Sequence, residues 1–177
     1  EMRELIKQIQ KNNSIGLHPS FESNNLIEIF KREKETLERI TKTLIIKSRQ
    51  HYLKIEFPQT YQNLISLGIT EDYTMGFAET IGFRAGTCTP FTWFNLKNNK
   101  EENLTIFPFQ IMDASLNRYL NLTPTEAEKT IVRIIYETKN VNGTFISLWH
   151  NESLSNKHEW KKWQTVYNFM LQTATNK

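Results

Sequence analysis

The sequence predicts an α/β fold in which parallel strands are joined by crossover helices. Helical and extended patterns alternate along the chain: helix, strand, helix, strand, helix, strand, longer excursions, then helix, strand, helix. That alternation is the signature of strand–helix–strand units. Three of the four histidines also close short apolar runs. His18 ends Ser14–Leu17, His51 follows Leu44–Lys47 through Ser48-Arg49-Gln50, and His150 ends Phe145–Trp149. Parallel α/β folds build their chemistry at the C-terminal ends of strands, so the three ends are expected to converge on one site. No internal repeat or low-complexity linker divides the 177 residues, and one domain is expected over 1–177.

Residues 1–13 place Met2, Leu5, Ile6 and Ile9 at helical spacing. Ser14–His18 reads as a short strand that Pro19 ends. Asn24 or Asn25 can cap the next helix, which runs to about Ile40 with Leu26, Ile29, Phe30, Leu37 and Ile40 on one face. Its KREKE stripe is a solvated face. Leu44–Lys47 is a buried strand. Pro58 opens a helix that Gly68 closes. Ile69–Met75 is a strand, glycines 76, 82 and 86 make turns, and Gly82–Cys88 is a short extended piece. Residues 95–103 read as a polar surface loop. Leu104–Met112 is extended, with Pro108 marking a bulge or an edge. Asp113–Leu120 is a short helical segment. Thr123-Pro124-Thr125-Glu126 is a capping box with proline at the first helical position, and Ala127, Ile131, Ile134 and Ile135 form that helix's inner face. Asn142-Gly143 turns the chain into the strand Thr144–Trp149, and a final helix runs from His158 to about Ala174.

Composition narrows the function classes. A net charge of +3 with mixed signs does not make the concentrated basic face of a nucleic-acid binder. No apolar run approaches the roughly 20 residues of a transmembrane helix, and no signal peptide is present within the chain. A cytoplasmic location is favoured over the cell envelope. The single cysteine, Cys88, excludes an internal disulfide framework and reads as a small core residue. No glycine-rich loop of phosphate-binding spacing occurs.

Two histidines, one carboxylate and an open position describe a catalytic site of the zinc type. His18 and His51 supply imidazoles; Asp72 and Asp113 both follow apolar stretches, and neither stands out as the carboxylate. His150, between Trp149 and Asn151-Glu152, suits a general acid or base near neutral pH. Arg49 and Arg84 are the expected partners of buried carboxylates, with an Asp72–Arg84 pair as one arrangement. Phe91, Trp93, Phe94 and Trp149 are candidates for stacking on a sugar ring, or for rim packing.

Five segments resemble a bacterial branch of the polysaccharide deacetylase family, the metal-dependent carbohydrate esterases: GLHPS (16–20), SRQHYLK (48–54), DYTMGFAETIGFRAGTCTPF (72–91), PFQIMD (108–113) and FISLWHNESLS (145–155). The resemblance implies a partial or distorted (β/α) barrel and removal of acetyl groups from N-acetylated sugars. It also implies a divalent metal, zinc in the first instance, held by one Asp and two His. His18 is similar to the family's first metal histidine. The family's second histidine falls at Glu22 here, so either Glu22 or His51 takes its place, with His51 favoured. Arg49 resembles the arginine that holds the catalytic base, Asp72 the acid that orients it, and His150 the acid that protonates the leaving amine. Arg84, Trp149 and Phe91 are the expected substrate contacts, and the substrate is a carbohydrate.

The family's first motif, paired aspartates at a strand end, has no counterpart in residues 1–13. This chain is therefore expected to be the C-terminal part of a longer domain, inactive alone, with sheet edges that a second copy can cover as a homodimer. The rival readings are a non-catalytic carbohydrate-binding or scaffold domain, and an unrelated metal-dependent α/β hydrolase.

Overall fold

Short parallel strands followed by amphipathic helices organise the chain, as the alternation requires. The computed structural model describes residues 1–155 and 157–176. They fall into two units, Glu1–Thr74 with Phe91–Phe107, and Met75–Pro90 with Pro108–Lys177.

In the first unit, β1 (Lys47–Ser48), β2 (Glu71–Asp72), β3 (Phe91–Asn95) and β4 (Lys100–Ile106) form a sheet of order β1-β2-β4-β3. β1, β2 and β4 run parallel, with Ser48 opposite Asp72 and Asp72 opposite Ile106. Leu17 adds an isolated parallel bridge to Ser48. Helix α1 (Met2–Gln10) packs on α2 (Ile27–Thr41), and α3 (Gln59–Ser66) precedes β2. Gly68 takes φ +76° just beyond α3, a left-handed C-terminal position that glycine fills without steric cost. Phe30, Ile45, Tyr61, Leu64, Ile69, Leu104 and Ile106 are buried.

In the second unit, β5 (Ile111–Met112) pairs in parallel with β6 (Ser147–Leu148). Gln110 stitches the approach to this pair: its side-chain amide donates to Pro108 O at 2.7 Å, and its Oε1 accepts from Ile146 N at 2.9 Å. Helices α4 (Pro124–Asn140) and α5 (Trp163–Thr175) pack together. Their apolar faces, including Ala127, Ile131, Ile134, Ile135, Trp163, Val166 and Met170, make the core with Ile111 and Leu116. Each large side chain so buried contributes roughly 1.5–3 kcal/mol. The capping box forms as the sequence predicts: Glu126 N donates to Thr123 Oγ1, and Thr123 N donates back to Glu126 Oε2 at 2.8 Å.

The parallel α/β class is therefore present, and both sheets are open among the described residues. Several local expectations change. Residues 95–103 are not a loop but the turn and arms of the β3–β4 hairpin, with Asn95 opposite Lys100. Asn95 Oδ1 accepts from the backbone N–H groups of Lys97 and Asn98 at 3.1 and 3.3 Å, and Asn99 takes φ +50°. A largely exposed hairpin lacks the apolar alternation that marks a half-buried strand. Leu104–Met112 is two strands separated around Pro108, not one. Gly82–Cys88 forms turns rather than an extended strand, with Gly86 N donating to Phe83 O. The Leu44–Lys47 strand starts only at Lys47, and Leu44 is exposed. Helix α2 begins at Ile27 with Leu26 at its N-cap, because Asn24 lies in a preceding 3₁₀ turn. The final helix starts at Trp163, after a separate 3₁₀ turn at His158–Trp160. Ser115–Tyr119 is a single π-helical turn in which Leu120 N reaches Ser115 O; such turns recur beside functional sites.

Candidate functional site

The polar residues singled out above sit where parallel strands end. His18 follows the Leu17 bridge, Arg49 follows β1 and Asp72 closes β2. Asp113 follows β5, and His150 lies two residues beyond β6. Each unit carries its own cluster.

In the first unit the structure brings His18 and His51 together. His18 Nδ1 lies 2.8 Å from the carbonyl oxygen of Arg49, so that nitrogen carries the proton and donates it. The tautomer leaves a lone pair on Nε2, which faces His51 Nδ1 at 3.1 Å. The imidazole planes are tilted by 43° at 5.0 Å between centroids. His51 is held in turn by an edge contact with Tyr52 at 4.6 Å, and Tyr52 takes φ +53° to make it. A non-glycine residue in that region stores strain, which tends to gather at functional sites.

The same unit holds a buried polar group. Asp72 is fully buried. Its carboxylate accepts from Thr74 N at 3.0 Å, Thr74 Oγ1 at 2.7 Å and Ser48 Oγ at 3.2 Å. Burial pushes its pKa up to about 6, against the hydrogen bonds from Thr74 and Ser48 and the charge of Arg49. Arg49, half-buried, donates from Nε to Tyr73 O at 3.0 Å, and desolvation draws its pKa down while Asp72 opposes the shift. The charges of Asp72 and Arg49 thus influence each other, while the hydrogen bonds of the Asp72 carboxylate go to Thr74 and Ser48. Phe91 is part-exposed at the start of β3.

The Asp72 shift has a thermodynamic consequence. A carboxyl whose pKa is raised on folding contributes stability at acid pH, and loses it as pH rises through the folded value. With about 6 folded against an ordinary value near 4, the chain is expected to lose about 1.4 kcal/mol between pH 5 and pH 7.5 from this group. Urea unfolding at the two pH values, beside Asp72→Asn, measures it. A variant with the same pH slope as the parent would remove Asp72 as the source.

The second unit holds His150 against Asp113. Asp113 is fully buried. Its Oδ1 lies 2.7 Å from His150 Nδ1 and accepts from Ala114 N at 2.6 Å; its Oδ2 accepts from His150 N at 2.7 Å. The carboxylate raises the pKa of His150, partial burial opposes it, and Glu152 adds to the rise while Arg118 subtracts. His150 Nδ1–H is thereby committed to Asp113, and Nε2 is left to exchange a proton. Sequence reasoning noticed Asp113 as a residue after an apolar run but did not pair it with His150. The same strand-end criterion applied to Ile111-Met112-Asp113 marks it. Arg84 donates to Gly76 O at 3.0 Å in this unit. Trp149 packs by its edge on Tyr167 at 5.1 Å, and its indole N–H points at Met170 Sδ.

No family model matches the chain, and no curated protein does. Its fold has a solved relative. A candidate polysaccharide deacetylase from Mycobacterium smegmatis superposes with a TM-score of 0.68 over 98% of this chain at 14% identity. At that identity the likeness carries the fold. This chain spans 61% of the length of that one.

The first-unit pair meets the chemical demands of a borderline metal at two positions. Adjacent ligand nitrogens of tetrahedral zinc, bound at 2.0–2.1 Å, stand about 3.3 Å apart, close to the 3.1 Å between His18 and His51. A metal-bound histidine ordinarily donates its other ring N–H to a carbonyl or carboxylate, which His18 does to Arg49. Among the described residues no group of three or more His, Cys, Asp or Glu is gathered for a metal. None of the described helices is long and apolar enough to cross a membrane.

Proposed function

We propose that this chain carries part of the apparatus of a metal-dependent deacetylase acting on N-acetylated sugars, on a partial or distorted (β/α) barrel within a single domain. The observation that carries the reading is the His18–His51 pair, with its tautomer held by the Arg49 carbonyl. The shared fold with a candidate polysaccharide deacetylase supports it.

His18 Nε2 and His51 Nδ1 would hold a divalent metal, zinc by donor type. Bound there, such an ion supplies Lewis acidity toward an acetyl oxygen and acidifies water. The rest falls to the chain's own side chains. Arg49 and Asp72 form the charged floor that fixes the loop carrying His51. In the second unit His150, its Nδ1–H fastened to Asp113, has Nε2 to carry a proton, the arrangement that a general acid needs. Phe91 in the first unit, and Arg84 and Trp149 in the second, are each assigned separately to sugar contacts. A non-catalytic sugar-binding domain is the second reading, favoured by the absence of a third ligand gathered at the pair among the described residues.

Zinc titration by calorimetry tests the reading. Binding to the chain is expected, weakened about 100-fold or more in His18→Ala and in His51→Ala, the scale on which disturbing even a supporting group alters metal affinity. Binding unchanged in both variants defeats the metal assignment and leaves the sugar-binding domain.

A further inference from the structure

Two grooves border α2 and share Thr36 and Ile40. The first, about 420 Å³, is walled by Leu17, His18, Arg32, Glu33, Thr36 and Ile40 among others. The second, about 410 Å³, is walled by Thr36 and Ile40 again and by Arg3, Lys7, Arg39 and Lys42. They adjoin at these shared walls, and together they form a trough whose α2 lining includes Glu33, in the groove that holds His18, and Lys42 in the other. From Glu33 to Lys42 that is about 14 Å at 1.5 Å per residue.

The charge along the trough is uneven. Elsewhere on α2 cations and carboxylates alternate, and Lys34 pairs with Glu38 at 2.6 Å. The far stretch has four cationic side chains and no carboxylate among its described walls. Lys7 has an exposed partner in Glu4 at 3.1 Å. Near His18 the one carboxylate, Glu33, is taken up by Ser20 N at 2.9 Å. Arg39 and Lys42 alone are explained by the negative end of the α2 dipole. Arg3 is not, because it lies in the first turn of α1, where the helix dipole disfavours a cation. Two helices thus direct cations into one trough, and one of them does so against its own dipole.

We infer that the trough is a subsite for an anionic stretch of polymer, its carboxylate or phosphate groups held by Arg3, Lys7, Arg39 and Lys42 while the chain passes His18. That the polymer is a glycan rests on the deacetylase reading; the demand for anions does not.

The test is binding by calorimetry at low salt to three probes: hyaluronan hexasaccharide, with a carboxylate on alternate sugars, neutral N-acetylchitohexaose, and tripolyphosphate. The hyaluronan hexamer is expected to bind about tenfold tighter than the neutral hexamer, a difference of about 1.4 kcal/mol. The advantage should fade with added salt and vanish in Arg39→Gln/Lys42→Gln. The same charge removed from α4, in Lys129→Gln/Arg133→Gln, should leave it intact. Tripolyphosphate binding tighter than hyaluronan, and lost in the same groove variant, assigns the subsite to phosphate rather than carboxylate. Equal affinity for charged and neutral hexamers without tripolyphosphate binding, or a preference that survives the groove variant, overturns the inference. Zinc binding insensitive to His18→Ala, with the anion preference retained, defeats the deacetylase reading instead and leaves the trough standing.

Discussion

Asp113→Asn is expected to lower the pKa of His150 and to destabilise the second unit. The carboxylate serves three donors, the His150 ring, His150 N and Ala114 N, with no exposure to solvent. An amide offers one oxygen, and its NH₂ group must then face a donor. A hydrogen bond to a charged group is worth about 1.5–3 kcal/mol, and a buried donor left unmatched adds its desolvation cost, so a loss of about 3 kcal/mol is expected in urea unfolding.

The titration changes for a separate reason. The Asp113 hydrogen bond is the main cause of the raised His150 pKa, and partial burial works against it. Without the carboxylate, burial acts against a weaker opposition. A histidine raised on folding stabilises the fold fully below its unfolded value, near 6.5, and loses that stabilisation as pH rises through the folded value. The parent should therefore weaken as pH climbs above about 6.5, and Asp113→Asn should flatten that slope. NMR titration of the His150 ring, assigned with His150→Gln, reads the shift directly, and a midpoint unchanged in Asp113→Asn would falsify the pairing as its cause.

Gly76→Ala should cost about as much by a different route. A Cβ at residue 76 would run into the ring of Phe109, itself buried. Phe109 N donates to Met75 O at 3.0 Å, and Gly76 O accepts from Arg84, so the backbone is held from both sides and cannot step back. Overpacking of this kind typically costs 1–3 kcal/mol. About 3 kcal/mol lowers the melting temperature by about 6–12 °C in a chain of this size. Gly68→Ala is the contrast: nothing lies near its Cβ, and only the φ of +76° opposes it, for about 1 kcal/mol. Gly76→Ala with Phe109→Leu should recover part of the loss. Equal melting temperatures for Gly76→Ala and Gly68→Ala would show that the Phe109 ring yields.

The sequence by itself determined what neighbours along the chain decide. The inner face of α4 follows from Ala127, Ile131, Ile134 and Ile135, and its start follows from Thr123 and Glu126, because helix faces and caps depend on residues three or four apart. The placing of His18, Arg49 and His150 at strand ends was readable for the same reason, since each apolar run stops at a polar residue; Asp72 was expected inside a strand running Ile69–Met75, and the strand instead ends at Asp72. Only the tertiary structure decided which of them meet. His18 reaches His51 across 33 residues, and His150 reaches Asp113 across 37. Those meetings are set by the parallel registers of Leu17 with Ser48 and of Met112 with Leu148, and no local period encodes a register between distant strands. The β3–β4 hairpin was hidden because its outward residues are polar and its backbone pairing, not side-chain burial, holds most of it. The trough beside α2 was hidden because Arg3 and Lys7 join Arg39 and Lys42 only when α1 packs on α2.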